Sequence, residues 1–316
     1  MRFAFLCLAC FVVAPLFAAE PKPVPKMQAV PLPDAQVSFQ REGTEIARLH
    51  FGSHLRRPFV FPVVGPSGKH LTRMGHPQDP VGHSHHNSIW LSHMDVDKTN
   101  FWADFTSGKI VHDKIEKFED TDTHASVLAT YRWMDEKENK VRLLERRRTA
   151  VVAMDKGEWM LVLDIRFEAP ESVTLGKTPF GLLGVRMTKT IGVRDGGGTI
   201  RNAVGGVDEK EVFWKASKWC DYSGPVADKV IEGVTIFDHP KNPNHPSVYH
   251  VRNDGWMGAS LTFDGPRTIE SGKPLSIRYG LYIHGGMPSV EELNRKWDEF
   301  AKTEPADLMP PAPKKK

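Results

Sequence analysis

From position 37 to position 284 the apolar residues come in short runs, many alternating with polar ones and separated by Gly, Pro, Asn or Asp. A period of two marks a strand with one buried face, and turn residues between two such runs mark a hairpin. Runs 37–41 and 45–51 flank Glu42-Gly43, and run 59–64 ends at Gly65-Pro-Ser-Gly68. Further strands are predicted at 109–118 and 125–133 around Asp120-Thr-Asp122, and at 141–152 and 160–167 through Asp155-Lys-Gly157. Runs 212–215, 234–237, 248–251 and 257–263 follow, and 267–270 with 275–284 is read as a last hairpin across Ser271-Gly-Lys-Pro274. The pattern then changes. Ser289-x-x-Glu292 is a capping box, and Val290, Leu293, Trp297, Phe300 and Ala301 recur at helical spacing. The elements predict an all-β fold, a large antiparallel β-sandwich closed by one C-terminal α-helix over 289–302. Regular strand–helix alternation is missing, which argues against a doubly wound sheet or an α/β barrel.

The ends of the chain follow other rules. Arg2, an apolar run over 3–17 and the small pair Ala18-Ala19 form a secretory signal peptide, cut near Ala18 or Ala19. The run falls short of the roughly 18 residues that a bilayer span needs. The expected organisation is a signal peptide over 1–19, a Pro/Lys-rich linker over 20–33, one β-sandwich domain over 34–303 and a disordered Pro/Lys tail over 304–316. Loss of the leader leaves Cys220 as the single cysteine, so no internal disulfide is expected. The formal charge of +3 owes much to the terminal lysines, and no basic patch predicts a nucleic-acid partner. The mature chain is expected to be secreted or periplasmic, with no integral membrane span.

The densest candidate chemistry lies in Asp79-Pro-Val-Gly-His-Ser-His-His-Asn-Ser-Ile-Trp-Leu-Ser-His-Met-Asp95, which holds four of the chain's 14 histidines. An extended backbone would put His83 and His85 on one face and His86 on the other, whereas a turn would let all three converge. His93 and Asp95 share a face under alternation, and a His oriented by a carboxylate suits acid–base work near neutral pH. The alternative is metal: His83, His85, His93 and Asp95 could hold a divalent ion, although no zinc-protease signature is present. A third option is structural, with these side chains satisfying buried backbone groups.

A second constellation runs from Phe237 to Asp254, where three prolines stiffen a loop carrying Asp238, His239 and His245. His250 and Arg252 alternate onto one face of the strand that follows. The competing reading of the loop is a set of Asx turns. Arg186 is a charge inside an apolar strand, which calls for a buried carboxylate or a ligand. Trp90, Trp102, Trp219, Tyr222 and Trp256 add aromatic surface that could stack on sugars or simply fill the core.

The run His83-Ser-His-His-Asn-Ser-Ile-Trp, with His93-Met-Asp-Val and Phe101-Trp102, resembles a family of secreted bacterial proteins labelled "methane oxygenase PmoA". Phe180-Gly-Leu-Leu-Gly-Val-Arg186, Trp219-Cys-Asp-Tyr-Ser-Gly224, Trp256-Met-Gly-Ala-Ser260 and Arg278-Tyr-Gly-Leu-Tyr-Ile-His284 extend the resemblance. It implies a galactose-mutarotase-like supersandwich of unassigned function, and the label itself conflicts with a chain lacking transmembrane helices. The family's usual Arg-Gly is replaced here by Asn87-Ser88, a difference that would alter substrate binding if that Arg touches substrate.

With that resemblance, the expected function is acid–base chemistry on a carbohydrate or other small-molecule substrate: epimerisation, elimination or glycoside cleavage. The expected catalytic residues are His85, His86, Asp95, Asp238 and His239, with Arg186, Trp90, His245, His250 and Arg252 binding substrate. This reading requires no cofactor. The alternatives are a metal-dependent oxidoreductase or hydrolase and a non-catalytic glycan-binding module. The single-site expectation requires segments 83–95 and 238–250 to converge.

Overall fold

The computed structural model describes residues 23–75 and 83–310; the expected signal peptide, Asp79 and the last lysines lie outside them. Two large antiparallel sheets face each other. The nine-stranded sheet runs, in spatial order, through Met27–Leu32, Gln36–Arg41, Thr44–His50, Phe59–Val63, Ile89–Leu91, Leu182–Arg186, Trp256–Ser260, Val248–Arg252 and Lys215–Ala216. The eight-stranded sheet runs through Thr199–Asn202, Trp219–Ala227, Val230–Asp238, Leu275–Gly285, Trp159–Glu168, Lys140–Ala153, His124–Asp135 and Gly108–Asp120.

Alternation explains the burial. In His124–Asp135, Ala125, Val127, Ala129, Tyr131 and Trp133 point inward and are buried. They meet Ile89, Leu91, Leu183, Val185 and Met257 from the other sheet in one continuous core. The fold is therefore the expected all-β sandwich.

The helix Val290–Ala301 is capped as expected, with Glu292 N–H donating to Ser289 Oγ at 3.1 Å. Its Leu293 and Phe300 cover Met160, Val162, Phe237 and Tyr282 on the outer face of the eight-stranded sheet. Gly280 permits this approach, because a Cβ there would stand 2.9 Å from the Phe300 ring. Among the described residues no helix is long and apolar enough to cross a membrane.

Four expectations need correction. Met27–Leu32, assigned to the linker, is the edge strand paired with Gln36–Arg41; an edge strand tolerates the Pro31 that suggested a linker. The tail is ordered through Leu308, which is buried, while Ala306 N–H donates to Asp164 Oδ1 at 3.3 Å. Arg267–Ile269 does not pair with Leu275–Gly285 but with Val173–Leu175 in a separate two-stranded sheet. The expected strand at 212–215 is a short helix, Asp208–Val212, followed by the strand Lys215–Ala216.

Candidate functional site

The outer face of the nine-stranded sheet carries a cleft of about 730 Å³. Its base is aromatic. Trp90 lies between the inward-facing Ile89 and Leu91, so its ring emerges on the outer face, where it packs with Trp102 and Trp256. The strands beneath carry Gly184, where a Cβ would stand 2.8 Å from the Trp90 ring and 2.9 Å from that of Trp256. Only glycine lets both indoles lie this close to the sheet.

The three histidines of the 83–86 segment converge because the backbone turns there, His86 N–H donating to His83 O at 3.1 Å. The His83 and His86 rings stack at 4.4 Å, and His85 stands edge-on to His86 at 4.6 Å. His86 also stacks on Trp256 at 4.9 Å. Buried Arg57 anchors the segment from behind. It donates to His85 O, Asn87 Oδ1, Phe101 O, Trp102 O and Ala103 O, tying the histidine turn to the 101–103 wall.

Burial is the main influence on these rings. It pushes His85 down to about 4, helped by the Arg57 charge, and holds His86 far below the ordinary imidazole value, helped by His85 and Arg186. His250 is likewise pushed down to about 4, by burial and then by Arg252. At neutral pH these three are neutral imidazoles. Trp256 Nε1 donates to His250 Nδ1 at 2.6 Å.

The carboxylate of the cleft is Asp254. Arg186 Nη1 and Nη2 reach its two oxygens at 2.7 and 3.3 Å, and His83 Nδ1 lies 3.7 Å from Oδ2. Burial alone would raise this carboxyl, but the Arg186 hydrogen bonds and charge hold it below the ordinary Asp value. Arg194, Glu209 and Arg252 line the polar rim, with Arg252 Nη1 3.0 Å from Glu209 Oε1. Met94 and Phe180 complete the apolar side.

Of the expected site residues, the cleft brings together His85, His86, His250 and Arg252. Trp90 and Arg186 stand behind its wall, each only 1% exposed; Trp90 is covered by His86, and Arg186 is engaged by Asp254.

The other residues go elsewhere. Asp95 does not orient His85 or His86: its Oδ1 accepts Lys98 N–H at 2.7 Å in a local turn. His93 is fully buried, taking Asp95 N–H on Nδ1 and facing Thr262 Oγ1 with Nε2 at 3.0 Å. Among the described residues, no three His, Cys, Asp or Glu side chains are grouped to hold a metal ion, so the set His83, His85, His93 and Asp95 does not assemble.

The 238–250 segment fails to act as one piece for a topological reason. Val230–Asp238 belongs to the eight-stranded sheet and Val248–Arg252 to the nine-stranded one, so the loop between them crosses the sandwich. His250 reaches the cleft. Asp238 stays at the far side, accepting from Asn242 Nδ2, His245 Nδ1 and Ser247 N–H. His245 stacks on Trp297 of the helix, and His239 Nε2 lies 3.1 Å from Thr303 O.

Asp254, Glu209 and Arg194 were not expected in the site, and Trp256 was expected only as aromatic surface that could stack on sugars or fill the core. A signal for Asp254 existed: Arg186 in an apolar strand called for a carboxylate or a ligand, and Asn253-Asp254-Gly255 is the hairpin tip that supplies the carboxylate.

Residues 36–298 match the family of unknown function DUF6807, whose description carries no methane-oxygenase label. None of the curated proteins matches the chain. Among solved structures it overlaps a heparan sulfate lyase HepC mutant from Pedobacter heparinus at 10% identity and TM-score 0.42, over 84% of this chain and 38% of the lyase. The chain thus spans well under half the length of that lyase. It overlaps galactose 1-epimerase from Lactobacillus acidophilus NCFM at 8% identity and TM-score 0.39, over 80% of this chain and 98% of the epimerase. A galactose mutarotase-like protein from Lactobacillus casei ATCC 334 overlaps at 9% identity and TM-score 0.37, over 82% of this chain and 100% of that protein.

Proposed function

The chain belongs to the DUF6807 family of unknown function, and from that premise we propose that it is a carbohydrate-active enzyme working by histidine acid–base chemistry. The observation that carries the reading is the gathering of the neutral His85 and His250 imidazoles and the Asp254 carboxylate in one cleft with an aromatic wall. Half-buried Phe180 offers an apolar face to a sugar ring, backed by the buried Trp102 and Trp256. At neutral pH the neutral His85 imidazole is in the proton-accepting form, while His250, its Nδ1 occupied by Trp256 N–H, offers a hydrogen bond from Nε2. Asp254, held by Arg186, orients His83, while His85 and His250 flank the space where a sugar carbon or glycosidic oxygen would sit. Epimerisation, elimination and glycoside cleavage all need a proton acceptor at the reacting centre, the role this reading gives to His85. The leader expected at 1–19 would place this chemistry outside the cytoplasm.

The test is incubation in D₂O with a panel of neutral, uronic and keto sugars, followed by NMR. Products, or deuterium entering a sugar carbon, are expected; both should be lost in His85→Ala and Asp254→Asn proteins that keep their thermal transitions. Saturable binding without product would identify a non-catalytic glycan-binding module instead. If no sugar binds, the reading fails.

A further inference from the structure

A second aromatic surface adjoins the cleft and takes no part in the arrangement above. Trp214 lies between the helix Asp208–Val212 and the strand Lys215–Ala216, and the residue is 46% exposed. Its backbone is left-handed, with φ of 57°, a conformation that bulky L-residues rarely adopt. Trp214 N–H donates to Tyr249 O at 2.8 Å and so fixes the turn to the strand that carries His250. The indole stacks on Phe213 at 4.4 Å and 24°, and Phe263 supports it at 5.8 Å. A large ring is thus presented to solvent on a rigid support.

The platform is continuous with the cleft. The His250 ring, which lines the cleft, stands edge-on to Phe213 at 4.8 Å and lies 6.4 Å from Trp214. The Arg252 guanidinium, also in the cleft lining, sits 5.5 Å above the Phe213 ring and pairs with Glu209. A flat apolar face bordered by a guanidinium and a carboxylate matches a sugar ring, which offers an apolar C–H face and a rim of hydroxyls.

Resting on the reading of the cleft as a sugar site, we propose that Trp214 forms a second subsite and that the ligand is a disaccharide or longer chain. One sugar occupies the histidine cleft and the next stacks on Trp214. The inference concerns ligand length, so it can fail while the cleft reading stands.

Calorimetric titration tests it with free hexoses and hexuronic acids beside their 1,4-linked disaccharides and trisaccharides. The expected result is a disaccharide affinity at least tenfold above that of its monosaccharide. Trp214→Ala should reduce this ratio to near one, and Trp214→Phe, which keeps a ring, should preserve part of it. Thermal transitions of both variants check the fold. Monosaccharide binding with no gain for longer chains, or a gain unchanged in Trp214→Ala, overturns the second subsite alone. Failure of every saccharide to bind overturns both readings.

Discussion

Trp256 Nε1 donates to His250 Nδ1 at 2.6 Å, so the neutral His250 carries its proton on Nε2. An indole N–H can only donate, and it favours the unprotonated Nδ1. The bond therefore opposes protonation, in the same direction as the burial that brings His250 to about 4.

Replacing Trp256 with Phe keeps most of the ring packing and removes that donor. His250 should then populate both tautomers and titrate closer to the ordinary value. Long-range ¹H–¹⁵N correlation spectra read the tautomer directly. A protonated Nδ1 in the wild-type protein would contradict the assignment.

Acid stability follows from the buried imidazoles. His93 is pushed down to about 4, chiefly by burial, against an ordinary value of 6.5, and His85 and His250 reach the same level. Between the two values the unfolded chain binds more protons than the folded one, so stability falls as pH drops from 6.5 toward 4. His93 alone would account for about 2 kcal/mol lost by roughly pH 5. Urea unfolding at about pH 7.5 and pH 5 measures the loss, and His93→Gln should flatten the slope. A midpoint independent of pH across this window would show that the rings are not held neutral.

The elements most legible in the sequence are those whose pattern is local. Alternation in 125–133 and the Ser289 capping box each lie within one segment, so the inward face of a strand and the start of the helix could be read directly. Pairing was less legible because it joins distant segments. Nothing in 267–270 distinguishes the nearby 275–284 from Val173–Leu175 as its partner. The same limit divided the proposed site. Alternation placed His250 and Arg252 together, but it could not show that the proline loop before them crosses between sheets. The histidine turn was found through composition, and Asp254 was signalled only indirectly by the charge of Arg186, whereas Trp214 was hidden because one Trp between short elements has no period.

Position 88 links backbone geometry to the family resemblance, in which Asn87-Ser88 replaces Arg-Gly. Ser88 is fully buried with φ of 58°, in the left-handed region that glycine enters without strain. Its hydroxyl donates to Thr72 Oγ1 at 2.7 Å. Changing Ser88 to Gly should gain about 1 kcal/mol of backbone relief and lose a similar amount with that hydrogen bond. The net change should stay within about 1 kcal/mol. Ser88→Val loses the hydroxyl and places a β-branched side chain at a strained φ in a packed site, and should destabilise by about 3 kcal/mol. Asn87→Ala removes the Oδ1 that receives Arg57 Nη1 at 2.6 Å and should loosen the histidine turn, at a cost of about 2 kcal/mol. Urea denaturation of the three variants gives the ranking. A Ser88→Gly protein as unstable as Ser88→Val would show that the hydroxyl, not the backbone, governs this position.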